Sequence, residues 1–140
     1  MTFQCADLEI ALYTHDEDRY RVELRFTRPD SDAEVRPKRD RPLLAEFDFA
    51  EVRRRQSDAE AYGAVLTAQL FADPALKSDF LQFYHTAQSL EVPLRIRLFI
   101  GPSAQELHAL RWETLKNPES GAPLLTDESI VFSRFLSSED

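Results

Sequence analysis

The chain carries one cysteine, Cys5, and three histidines, His15, His85 and His108. A thiol becomes a nucleophile when a base within hydrogen-bond reach draws off its proton, so these four residues are the candidates for covalent catalysis. Their spacing supplies no dyad. Cys5 lies near the terminus, with no small-residue turn to present its sulfur beside a helix N-terminus. The histidines are spread over more than ninety positions, and none stands in the i, i+4 or H-E-x-x-H arrangement by which a helix grips a metal. His85 and His108 are therefore expected at the surface, on the flank of one helix and the exposed side of another. A single cysteine also excludes an intrachain disulfide and a cysteine-based metal cage.

Other chemistries are equally poorly served. The three glycines, at 63, 101 and 121, cannot build a G-x-G-x-x-G or Walker loop around a phosphate. No cofactor or metal is expected. Acids are plentiful, but no pair sits in the apolar context that raises one carboxyl pKa for general acid work. "HDED" (15–18) and "SSED" (137–140) are read as solvated segments. Basic residues concentrate in "RPKRDR" (36–41) and "RRR" (53–55). Asp32, Glu34, Asp40, Glu46, Asp48, Glu51 and Asp58 lie close to them, and no aromatic residue interleaves them to stack a base. With a net charge of −8, the reading is a salt-bridged surface, not a nucleic-acid site.

The elements that must position any site follow from length and periodicity. The 140 residues suffice for one domain, 1–140, with its own core. No apolar run reaches the roughly 18 to 20 residues that cross a bilayer, and no secretory signal opens the chain, so no membrane association and a cytoplasmic address are expected. "RYRVELRF" alternates strictly, and "DLEIALYT" before it places Leu8, Ile10 and Leu12 on one side, which predicts an antiparallel hairpin. Residues 29–42, with three prolines, read as a long exposed loop before a short strand at "LLAEFDF".

Helical signals follow. Ser57 and Glu60 have the spacing of a capping box, with Tyr62, Val65, Leu66 and Leu70 at helical intervals behind them. Asp73-Pro74 starts a second helix, lined by Leu76, Phe80, Phe83, Ala87 and Leu90. "PLRIRLFI" (93–100) is the clearest strand. Ser103 and Glu106 suggest a second capping box opening a short helix with Leu107 and Leu110, and "SIVFSRFL" (129–136) is a last strand. The expected class is α+β with α/β character: a hairpin, two central helices, then strand, short helix and strand in a mixed sheet.

The only tryptophan, Trp112, stands in "ALRWETL" (109–115). From "AYGAVLTAQLFADPAL" (61–76) through "VPLRIRLFIGPSAQELHALRWETLKNPESGAPLLTDESIVFSRFL" (92–136), the order of features resembles the front part of bacterial CHAT domains, the caspase-like cysteine protease family. A helix ending in Leu70-Phe71 leads to an arginine-alternating strand, a short helix, a Trp112-Glu113 turn, a loop with Gly121, and a strand ending in Arg134-Phe135. The match is strongest over 61–136, and Arg111 departs from it where the family often has proline. The resemblance implies the front of a caspase-like fold, with the family's catalytic histidine and cysteine downstream and none of this chain's own on that dyad. It further implies a noncatalytic scaffold or partner-docking segment in bacterial signalling or defence. The implied partner is the protease half or another protein, with homo-oligomers as a further outcome. A free-standing protein-interaction or adaptor domain is the alternative. Trp112 is expected to wedge the short helix against the strand at 94–100, near Leu98, Leu107 and Leu110. Glu113 is expected to hold a nearby backbone or arginine group.

Overall fold

The computed structural model describes residues 5–31, 33–124 and 130–135, the last as backbone only. Eleven elements follow in order among these residues: β1 (Ala6–Thr14), β2 (Arg19–Thr27), β3 (Glu34–Val35), β4 (Leu44–Glu46), α1 (Phe49–Arg53), α2 (Ala59–Leu70), α3 (Pro74–Ser89), β5 (Leu94–Ile100), the 3-10 helices η1 (Pro102–Ala109) and η2 (Trp112–Thr114), and β6 (Ile130–Phe135). The class is α+β with a mixed sheet. The side chains of 130–135, whose alternation was expected from the sequence, lie outside the described residues, as do Asp32 and the 137–140 segment.

The hairpin forms because each strand has one apolar face to bury. Leu8 pairs with Phe26, Ile10 with Leu24, and Leu12 with Val22, and all six are at most 4% exposed. Turn chemistry closes it: Asp16 Oδ1 accepts from the Arg19 N–H at 3.0 Å, and Asp16 Oδ2 accepts from Arg19 Nε at 2.9 Å. On its other side β1 pairs in parallel with β5, Leu8 opposite Ile96 and Ile10 opposite Leu98. β6 then adds in parallel to β5. The sheet order is β3-β2-β1-β5-β6, with β4 also on β2.

α2, α3, η1 and η2 bury their apolar residues in one cluster with the inward residues of β1, β2 and β5. Phe83 of α3 stacks on Phe26 of β2, with ring centroids 4.8 Å apart. The opposite face of the sheet is a half-buried charged ladder in which Arg95 pairs with Asp7 at 2.5 Å and Arg25 with Glu9 at 3.3 Å. That charge explains the strict arginine alternation of β2 and β5: one face enters the core and the other meets water.

Helix starts differ from the expected caps in three places. Asp58, not Ser57, is the N-cap of α2, its carboxylate accepting from the Ala61 N–H at 3.2 Å. Ser57 and Glu60 therefore form no capping box. Asp48 likewise caps a short helix, α1, that the sequence reading did not foresee. Asp73 caps α3 as expected, with Pro74 in its first turn and the Ala75 N–H at 2.9 Å. The short helix opened at Pro102 is 3-10, with no side-chain cap. Glu106 is drawn elsewhere. Its Oε2 accepts from the buried Tyr20 hydroxyl at 2.5 Å, and Ser103 contributes its carbonyl to Thr14 Oγ1 at 2.8 Å. The loop 29–42 contains β3, which pairs with β2. No described helix is long and apolar enough to cross a membrane.

Candidate functional site

The chain leaves η1 at Leu110 and makes the single 3-10 turn η2. Trp112 is fully buried. Its Nε1–H donates to the Leu107 carbonyl at 2.8 Å, which satisfies the one polar group that an indole takes into a core. Its ring meets Phe47, which follows β4, edge to face at 5.7 Å and 89°. The indole thus joins the segment after β4 to η1. Glu113 is at the surface, its side chain 49% exposed and 3.7 Å from Arg111 Nε, a spacing and exposure at which an ion pair contributes little.

Packing against this turn comes from α2, and it depends on a glycine. A Cβ on Gly63 would stand 2.0 Å from the Thr114 carbonyl oxygen. Helix and turn approach this closely only because position 63 has no side chain. Two hydrogen bonds fix the register: the Arg111 N–H donates to the Tyr62 hydroxyl at 3.0 Å, and the Lys116 N–H to Thr67 Oγ1 at 2.8 Å. The Arg111 guanidinium lies over the Tyr62 ring at 5.3 Å and donates to the Gln56 carbonyl at 3.2 Å. Arg111 is therefore a clamp on α2. The partners are 49 residues apart, so no local pattern signals the contact.

The "RPKRDR" cluster is salt-bridged, largely to acids other than its sequence neighbours. Arg36 pairs with Glu34 at 3.2 Å. Arg39 instead makes a two-pronged pair with the buried Asp79 of α3. Arg41 grips Asp73, the N-cap of the same helix, through contacts of 2.8 and 3.1 Å. The hydrogen bond from Arg41 holds the Asp73 carboxyl below its usual range, against the opposing effect of burial. A cavity of about 270 Å³ beneath this strap is lined by Arg21, Arg36, Arg39 and Arg41 together with Glu23 and Asp79, and each arginine already has a carboxylate. Burial, and then the hydrogen bond to Glu106, push the Tyr20 phenol well above its usual range.

The candidate nucleophile and bases are not assembled. Burial, reinforced by Asp7 and opposed by Arg95, pushes the Cys5 thiol up. A thiol held protonated is a poor nucleophile. His15 lies in the β1–β2 turn, and His85 on the exposed flank of α3, 3.3 Å from Glu119. His108 lies in η1 and is half-buried, not on an exposed side as expected. No group of three or more His, Cys, Asp or Glu that could hold a metal ion occurs among the described residues. Comparison with protein-family models, with curated proteins and with solved structures finds no match.

Proposed function

We propose that this chain is the noncatalytic amino-terminal scaffold of a CHAT-type, caspase-like cysteine protease of bacterial signalling or defence, working in the cytoplasm. The protease half pairs with it along β6. The observation that carries this reading is the direction in which the sheet grows. β1, β5 and β6 run parallel, and each is added on the same side of the last, so the next strand of a parallel sheet joins at β6. The opposite edge, along β2, is already occupied by β3 and β4.

Main-chain pairing carries this docking. Among the described residues Val35 alone is a large exposed apolar side chain, and it lies in β3, at the other end of the sheet from β6. In the isolated chain the β6 edge accepts a second copy.

The coding sequence after Asp140 tests the reading. An open frame with a His-Gly pair and a later strand-end cysteine is the expected result, and a stop codon there assigns the chain to a free-standing adaptor instead. The isolated chain, assayed on a broad peptide library beside Cys5→Ala, is expected to give no turnover. Peptidase activity that disappears in the variant would overturn the noncatalytic role.

A further inference from the structure

A second cavity, of about 370 Å³, lies between α2, the start of α3 and the loop after Leu115. Its size is at the lower end of small-molecule sites, which span about 300–1,000 Å³. Ala64, Ala68 and Phe71 form an apolar wall, and Lys77, Lys116 and Asn117 supply its polar side. No carboxylate lines it among the described residues. In this respect it is the reverse of the cavity beneath the arginine strap, where every cation is already neutralised.

Two of its polar residues are more than nine-tenths buried. Lys116 is 8% exposed and Asn117 is 6% exposed. The burial of Lys116 is that of its stem: neither its ammonium nor the Asn117 NH₂ is among the buried polar atoms without a partner, and none of the ion pairs or side-chain hydrogen bonds of the described residues engages the ammonium, which opens on the cavity. Asn117 Oδ1 accepts from the Glu119 and Ser120 N–H groups at 2.8 and 3.2 Å. Those two bonds assign the oxygen, so the amide NH₂ is the group left over, with no partner among the described residues. Lys77 likewise makes no ion pair there.

Glu119, the acid of this loop, is turned to His85. The loop itself is held in place. The Lys116 N–H is bound by Thr67, Asn117 N–H donates to the Ala122 carbonyl at 2.8 Å, and Lys116 bridges Pro123. Two ammonium groups, that of the exposed Lys77 and that at the end of the buried Lys116 stem, and one amide border an apolar recess with no anion to answer them among the described residues.

We propose that this cavity is a binding site for a carboxylate on a short apolar body, whether a free organic acid or the C-terminal residue of a peptide. The carboxylate is answered by Lys77, Lys116 and the Asn117 amide, and the apolar body by Phe71 and the two alanines. A phosphoryl group, with three oxygens to satisfy, fits less well against so apolar a wall. The inference is independent of pairing at β6.

The test is titration of the ¹⁵N-labelled chain with hexanoate, acetyl-leucine, hexanamide and inorganic phosphate, following the amide resonances of Thr67, Phe71 and Asn117. Saturable shifts are expected with hexanoate or acetyl-leucine, and the tighter of the two identifies the source as free acid or peptide terminus. Hexanamide, Lys116→Met and Lys77→Met are each expected to weaken binding about tenfold or more, the usual effect of losing a charge-assisted contact. Lys77 is exposed, so its variant keeps the test open if Lys116→Met fails to fold. Absence of saturable shifts with both acids, equal binding of hexanamide, tighter binding of phosphate, or unchanged affinity in Lys77→Met would overturn the proposal.

Discussion

Gly63→Ala sets two physical effects of opposite sign against each other. Helix propensity alone makes the substitution stabilising, by up to about 1 kcal/mol in a helix interior. The close approach of α2 to the Trp112 turn makes it destabilising. The added Cβ would meet the Thr114 carbonyl oxygen at 2.0 Å and the Thr114 Cβ at 3.2 Å. A close carbon–oxygen contact is about 3.3 Å, so helix and turn must part by roughly 1.3 Å. That movement stretches both the Arg111–Tyr62 and the Lys116–Thr67 hydrogen bonds, now 3.0 and 2.8 Å.

Overpacking costs about 1–3 kcal/mol, and each lost hydrogen bond about 0.5–1.5 kcal/mol. After the propensity gain is subtracted, the net loss is about 3 kcal/mol. Urea unfolding followed by far-UV circular dichroism reads this directly. With a slope of about 1–3 kcal/mol/M, the midpoint falls by about 1–3 M at unchanged slope. A midpoint equal to or above wild type would refute the claim that position 63 must lack a side chain.

Trp112→Ala removes a fully buried ring, its Phe47 contact and one of the two donors to the Leu107 carbonyl, and is expected to cost about 3–5 kcal/mol. Because a domain of this kind is stable by about 5–15 kcal/mol, thermal unfolding of the variant is expected at a far lower temperature, and a shift below about 2 °C would remove the structural role assigned to the indole. For Asp73 the folded carboxyl lies below its ordinary value of 3.8, chiefly through Arg41. Its contribution is therefore present above pH 3.8 and lost as pH falls through the lower folded value. Melting temperatures measured downward from about pH 5 are expected to fall less steeply for Asp73→Asn, which keeps an N-cap acceptor but cannot titrate, and parallel curves would show that the Arg41 pair adds no linked stability.

Local periodicity carried the parts of this fold that backbone geometry dictates. Alternation of Tyr20, Val22, Leu24 and Phe26 identifies β2, and "PLRIRLFI" identifies β5, because side chains on an extended chain alternate faces whatever the rest of the molecule does. Asp73-Pro74 marks the start of α3 for an equally local reason. Two results depended instead on how the chain is laid down in three dimensions. Asp58 displaced Ser57 as a cap, because the two stand one residue apart and only the path of the chain into α2 decides which carries the non-helical cap geometry. Arg39 and Arg41 found Asp79 and Asp73 across a gap of more than thirty residues, passing over nearer acids, because the loop is laid against α3.

The burial of Trp112 was legible, since a lone indole beside an apolar short helix has few places to go. Gly63, Tyr62 and Thr67, which hold that turn, were not: helical spacing shows that they share a face but not what the face meets. The cavity bordered by Lys116 and Asn117 is the extreme case. Its wall and the donors Lys116 and Asn117 come from segments about fifty residues apart in sequence, and nothing in "LKNPES" distinguishes a solvated lysine from one whose stem is buried. Composition and periodicity set what each segment forms; the tertiary packing of α2 against the Trp112 turn set which polar groups share one recess, and so where we place a ligand.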